Sequence, residues 1–120
     1  MNRESPIWAQ TELGQSKLGD ARRVKRIVCL AEQRGATPNA SISQSCGGAA
    51  ATKAAYRFYD NERISTSEIF VSHGKATKER LAKEKVVLAV QDTTQLDYTD
   101  HPCTSGLGVL HDESHKGLLM

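Results

Sequence analysis

Asp92 closes an apolar run, Val86 to Val90, and is followed at once by Thr93 and Thr94. A carboxylate at the end of a buried strand can do one of two things. It can hydrogen-bond the turn that follows, or it can ligate a hard divalent cation, because Mg2+ and Mn2+ prefer oxygen donors. Two such ions side by side stabilise the attacking and leaving oxygens of a phosphodiester displacement. A single aspartate cannot hold both, so that chemistry needs further acids. A second group of chemically able residues follows in His101, Cys103, His111 and His115, four donors of the kind zinc takes. Their spacing matches no common finger, and Pro102 with Gly106 and Gly108 marks a flexible loop, so no zinc site is expected there.

A different chemistry is offered nearer the start. Arg22, Arg23, Lys25 and Arg26 fall within little more than one turn of an amphipathic stretch. On a helical wheel they oppose Val24, Ile27, Val28 and Ala31, which lie at about 140 to 240 degrees from Arg22. The arginine fork suits phosphate, and cation–phosphate contacts supply most sequence-independent affinity for nucleic acid. Lys53 and Arg57 form a second cationic pair, one turn apart and opposite the small-residue stripe Ala51, Ala54, Ala55 and Phe58. With Thr52 they are the candidates for reading a groove. Tyr56 and Tyr59 are expected in the core with satisfied hydroxyls. The net charge of +2 hides an asymmetry: residues 1–60 carry nine Lys and Arg against five acids, a net of +4, and residues 61–120 carry seven against nine, a net of −2. A basic front half points to a polyanionic partner.

Local signals define the elements that must position these groups. Trp8 and Leu13 suggest a short helix docked on the core. Asp20 has the chemistry of an N-cap for "ARRVKRIVCLAEQRG", which Gly35 and Pro38 should stop. Ser41 and Gln44 fit a capping box opening a short helix that Gly47 and Gly48 end, and a longer helix runs from about Ala49 to Asp60. A short helix, a glycine turn and a longer helix with outward cations is the outline of a helix-turn-helix. Ser65 and Glu68 open a further helix, broken near Gly74 or running on to about Lys85, whose alternating charges read as a solvated face. Val86 to Val90 then changes period: β-branched, apolar and without alternation, it predicts a strand covered on both faces. A second short apolar run, Gly117 to Met120, predicts its partner.

Three of these blocks, "LGDARRVKR", "ATKAAYRFYDNERIS" and "VVLAVQDTTQLDYT", resemble in order and spacing the N-terminal region of bacterial cut-and-paste DDE transposases, in the branch of insertion-sequence family four that includes the Tn-five type. The similarity runs from about Trp8 to the last residue. It implies a mainly α chain: a helical DNA-binding domain over about residues 1–85, then, over 86–120, the first strand or hairpin of a truncated RNase H-like α/β domain. It implies DNA transposition and recombination, with the double-stranded ends of a transposable element as the partner. Arg22, Arg23 and Arg26 match the arginine cluster after L-G-D, and Arg57 matches the arginine of A-Y-R-F. Asp92 matches the first metal-binding catalytic acid of D-T-T. The complete enzyme would use Mg2+ or Mn2+. The family's second aspartate and its glutamate lie beyond position 120, and Asp97, Asp100, Asp112 and Glu113 match neither. The expectation is therefore a fragment that binds DNA, carries no metal and does not cut it. A shortened gene or the first of two reading frames would end this way, in a strand with an open edge.

Other classes are narrowed by composition. The chain has no apolar run near the roughly 18 residues of a membrane helix, and Glu4, Gln10 and Glu12 interrupt any secretory core, so a cytoplasmic location without membrane contact is expected. Cys29, Cys46 and Cys103 lack a C-x-x-C pair and are expected as buried free thiols. A stand-alone regulator competing with the full-length enzyme is the alternative reading, through self-association or association with that enzyme. A nuclease assembling its acids between copies lacks a suitable second carboxylate pair.

Overall fold

The computed structural model describes residues 7–120; the absence of a secretory core in the first six residues, and the start of the helical domain at residue 1, lie outside them. The chain divides into two compact units, with the boundary between Lys85 and Val86. Among the described residues the first unit is all helix: α1 (Ile7–Leu13), α2 (Ala21–Ala36), α3 (Ile42–Cys46), α4 (Ala49–Tyr59) and α5 (Thr66–Leu81). The second holds a small sheet of β1 (Gln95–Asp97), β2 (Gly108–Val109) and β3 (Lys116–Leu119). The chain is thus mainly helical, with a short antiparallel sheet.

The helix starts follow the cap chemistry. Asp20 takes extended backbone, and its carboxylate accepts the Arg22 N–H at 2.8 Å. Ser41 and Gln44 form the reciprocal capping box, and the Ser41 N–H donates to Gln44 Oε1 at 2.9 Å. Gly47 ends α3 at φ 70°, in the left-handed region that disfavours any side chain. Ser65 caps α5 through the Glu68 N–H. Helix α5 passes Gly74 without a break and stops at Leu81.

Gly35 does not stop α2, which continues through Ala36. Its role is steric. A Cβ at this position would lie 2.8 Å from Trp8 Cζ2, so the missing side chain seats the indole of α1 against α2. Trp8 is otherwise half exposed.

The core cluster comprises Leu18, Leu30, Cys46, Ala55 and Phe58, with Val24, Ile27, Ile42, Ala51, Ile64 and Ile69 packed around it. Burying a Leu- or Phe-sized side chain stabilises by about 1.5–3 kcal/mol, so this cluster holds α2, α3 and α4 together. Leu30 departs from the expected division of α2. It lies at about 80 degrees on the wheel, among the bases, yet only 2 % of its surface is exposed. Helix α2 packs against α1 on one side and α3 and α4 on another, so bases and apolar residues interleave.

Helix α1, whose Ala9 is fully buried, is tied to α5 by polar contacts. The Ser72 hydroxyl donates to the Glu12 carbonyl at 2.9 Å, and Lys75 Nζ donates to Gln15 Oε1 at 2.7 Å. The Glu12 carboxylate pairs with the Arg80 guanidinium and, at 2.6 Å, with His73 Nδ1. Arg80 and then His73 hold the Glu12 carboxyl below its ordinary pKa, against some desolvation.

In the second unit the sheet order is β1-β3-β2, antiparallel throughout, with Leu96 opposite Leu118 and Val109 opposite Lys116. Gly117 is buried where a Cβ would overlap the Leu96 carbonyl oxygen, which makes glycine obligatory at that point. The expected strand Val86 to Val90 is not formed. These residues have no regular structure, and Leu88 and Val90 are over four-fifths exposed. The reason lies in the register: Thr94 and Met120 exchange both backbone hydrogen bonds, at 2.8 and 2.9 Å. Residues before Thr94 therefore find no partner in the β1–β3 ladder, and an apolar run without a pairing edge does not become a strand.

Candidate nucleic-acid interface

The cations of α2 are not equivalent. Arg22 grips the Asp20 carboxylate, with Nη2 2.9 Å from Oδ2. That hydrogen bond, with the Arg22 backbone N–H behind it, lowers the Asp20 pKa to about 2 and raises that of Arg22. The pair is at the surface, so its charge is partly neutralised in place. Arg23 turns back, donating from Nη1 to the Leu18 carbonyl at 2.8 Å, and so fixes the turn into α2. Lys25 is exposed and lines a groove with Gln10, Glu32 and Glu79, beside acids. Arg26 is half buried and lies one turn before Leu30, on the side of α2 that meets Ala55 and Phe58. The four cations expected as one patch thus have four different surroundings.

Helix α4 keeps the arrangement expected of it. Ala55 and Phe58 are buried, and Lys53 and Arg57 stand exposed on the opposite face, one turn apart. Among the described residues neither makes a hydrogen bond or ion pair. Thr52 donates its hydroxyl to the Gly48 carbonyl at 2.8 Å, which steadies the turn into the helix and leaves its oxygen able to accept. Tyr56 and Tyr59 are not core aromatics: each is about half exposed, at 49 % and 51 %. Tyr56 follows Lys53 by three residues and shares its outward face, a feature the helical spacing itself contained. The outward face of α4 therefore carries two free cations and an aromatic ring. A short helix, a left-handed glycine turn and a longer helix with that face keep the outline of a helix-turn-helix.

The sequence family described as transposase DNA-binding matches residues 5–64, half of the chain. The chain belongs to that family, and it carries the DNA-binding region of a transposase. The match covers the helices α1 to α4 and ends just before the Ser65 cap. Membership makes DNA the partner of the helical unit. Among the described residues no helix is long and apolar enough to cross a membrane.

The second unit places its chemistry differently from the expectation. Asp92 is exposed in the irregular segment ahead of β1. No group of three or more potential ligands among the described residues includes it, and no metal-dependent step is derived for it. His101 stacks edge-on against Tyr98 at 5.9 Å, and Cys103 is exposed rather than buried. Neither joins His111 and His115, which instead gather around Asp112. Of the other thiols Cys46 is buried and Cys29 half buried.

Proposed function

We propose that this chain recognises the terminal inverted repeats of a transposable element, as the N-terminal part of a DDE transposase of insertion-sequence family four, Tn-five type. The observation that carries the reading is the outward face of α4, where Lys53 and Arg57 stand unpaired on the longer helix of a helix-turn-helix-like module inside the matched residues. Arg26 extends the cationic surface from α2, and phosphate contact by these side chains supplies the main binding term. Tyr56 offers a ring beside them for base or sugar contact.

The sequence Asp92-Thr93-Thr94 supports the further assignment that residues from Val86 onward begin an RNase H-like catalytic domain, with Asp92 as its first metal-binding acid. In that reading the exposed Val86 to Val90 run is a strand awaiting the neighbours that would pair and cover it.

The test is a fluorescence anisotropy titration with two duplexes of equal length, one carrying the element's terminal repeat and one a scrambled sequence, at about 0.1 M salt. The repeat should bind more tightly, Arg26→Glu should weaken both severalfold, and Asp92→Ala should leave both unchanged. Equal affinity for the two duplexes would contradict recognition of transposon ends.

A further inference from the structure

His111 and Asp112 follow β2, and His115 immediately precedes β3, so the turn that closes this hairpin carries all three. Its ends are fixed by pairing of Val109 with Lys116 and by the Leu110 N–H donating to the His115 carbonyl at 2.9 Å. Within the turn, Asp112 Oδ1 accepts the backbone N–H of Ser114 at 2.8 Å and of His115 at 3.1 Å. This local clasp holds the carboxylate in one orientation. Each imidazole meets one of its two oxygens. His115 Nδ1 lies 2.7 Å from Oδ1, and His111 Nε2 lies 3.3 Å from Oδ2. The ring centroids are 4.2 Å apart, and one ligand atom from each of the three residues lies within 4.8 Å of the others.

We propose that the β2–β3 turn is a binding site for a transition-metal ion of the Zn2+ class, with His111, Asp112 and His115 as its three protein ligands and water completing the shell. Two imidazoles with one carboxylate select borderline ions such as Zn2+, Co2+ or Ni2+ over Mg2+ and Ca2+, which take all-oxygen shells. Bonds of about 2.0–2.1 Å in a tetrahedral site set ligand atoms roughly 3.3 Å apart, the separation already present between His111 and Asp112. The closer His115–Asp112 contact is a hydrogen bond that opens by about half an ångström when an ion replaces the shared proton. Acidic side chains stand close by. Asp97 acts electrostatically on both histidines, and it lines a shallow depression with Thr99, Asp100, His101 and His115. Their negative charge favours a cation, and the open side admits water. The ion would tie the ends of β2 and β3, two strands of only two and four residues, and stabilise the hairpin by mass action. The proposed ligands include neither Asp92 nor any residue of α2 or α4, so the site stands or falls independently of them.

The test uses the full chain at about pH 7.5, because metal affinity falls as ligands are protonated. Zn2+ is titrated calorimetrically, and Co2+ is titrated by visible absorption and by paramagnetic broadening of histidine NMR signals. The expected result is one equivalent bound, intense tetrahedral-type Co2+ absorption and broadening centred on His111 and His115, with no heat from Mg2+. His111→Ala and His115→Ala should each weaken Zn2+ at least roughly tenfold, and His101→Ala and Cys103→Ser should leave it unchanged. Broadening centred elsewhere in the unsubstituted chain, Zn2+ affinity indifferent to the double His111→Ala/His115→Ala change, or no Zn2+ binding in the millimolar range would overturn the proposal.

Discussion

The helical unit and the sheet unit handle apolar residues in opposite ways. In the first, Leu18, Leu30, Ala55 and Phe58 are drawn into one cluster, and the starts of α2, α3 and α5 are closed by side-chain caps. In the second, Val86, Leu88, Val90 and Leu119 stay exposed around three short strands. The difference teaches what each kind of element requires. A helix satisfies its backbone locally and needs only one covered stripe, whereas a buried strand depends on residues distant in sequence for both its hydrogen bonds and its cover.

The sharpest way to break that contrast is to remove apolar volume from each unit. Phe58→Ala should destabilise the helical unit by about 3–5 kcal/mol, and Leu88→Ala should change stability by no more than about 0.5 kcal/mol. Chemical denaturation followed by helical circular dichroism measures both. Comparable losses would mean that the Val86 to Val90 run is packed in solution.

A smaller effect sharpens the account of α1. Gly35→Ala ordinarily favours a helix, but here the new methyl meets Trp8, so a loss of about 1–3 kcal/mol is expected. In a Trp8→Ala background the same substitution should become neutral or stabilising, as helix propensity alone dictates. A loss of equal size in both backgrounds would detach Gly35 from the indole.

The smallest effect concerns acid. Arg22, first through its side-chain hydrogen bond and then through its backbone N–H, lowers the Asp20 pKa from 3.8 to about 2. A carboxylate with a depressed folded-state pKa contributes stability above its ordinary value and loses it as pH falls through the folded one. The thermal midpoint should therefore decline between those two values. Asp20→Asn, which keeps a capping oxygen and removes the charge, should flatten the decline. An unchanged slope would show that other acids govern it, with Glu12, also lowered by Arg80, the first to examine.

Much of the helical unit was legible in the sequence because its signals are local. Asp20, the Ser41–Gln44 box, Gly47 and Ser65 sit where their cap chemistry placed them, and the Ala55–Phe58 stripe of α4 faces the core. Features that depend on what lies across from a residue were not. Leu30 is buried among bases because α2 is packed on more than one side. Gly35 reads as a stop until the Trp8 ring is seen above it. Tyr56 and Tyr59 look like core aromatics by type, but the small alanines already fill the inward face of α4. Val86 to Val90 has the composition of a strand without a pairing edge to make it one. The grouping of His111, Asp112 and His115 hinges on one tight turn, and Asp112 carries no spacing signal of its own.

On the proposed reading, DNA is held by the outward face of α4 and not by the sheet unit. That reading is tested most directly by an anisotropy titration of a terminal-repeat duplex with the unsubstituted chain, with Lys53→Glu/Arg57→Glu, and with Lys116→Glu in the sheet unit as the control. The account predicts that the double reversal weakens binding roughly tenfold or more and lowers the slope of log affinity against log salt by about 0.9 for each phosphate no longer neutralised, with Lys116→Glu close to the unsubstituted chain. An affinity unchanged by the α4 reversal, or reduced as much by Lys116→Glu, would contradict it.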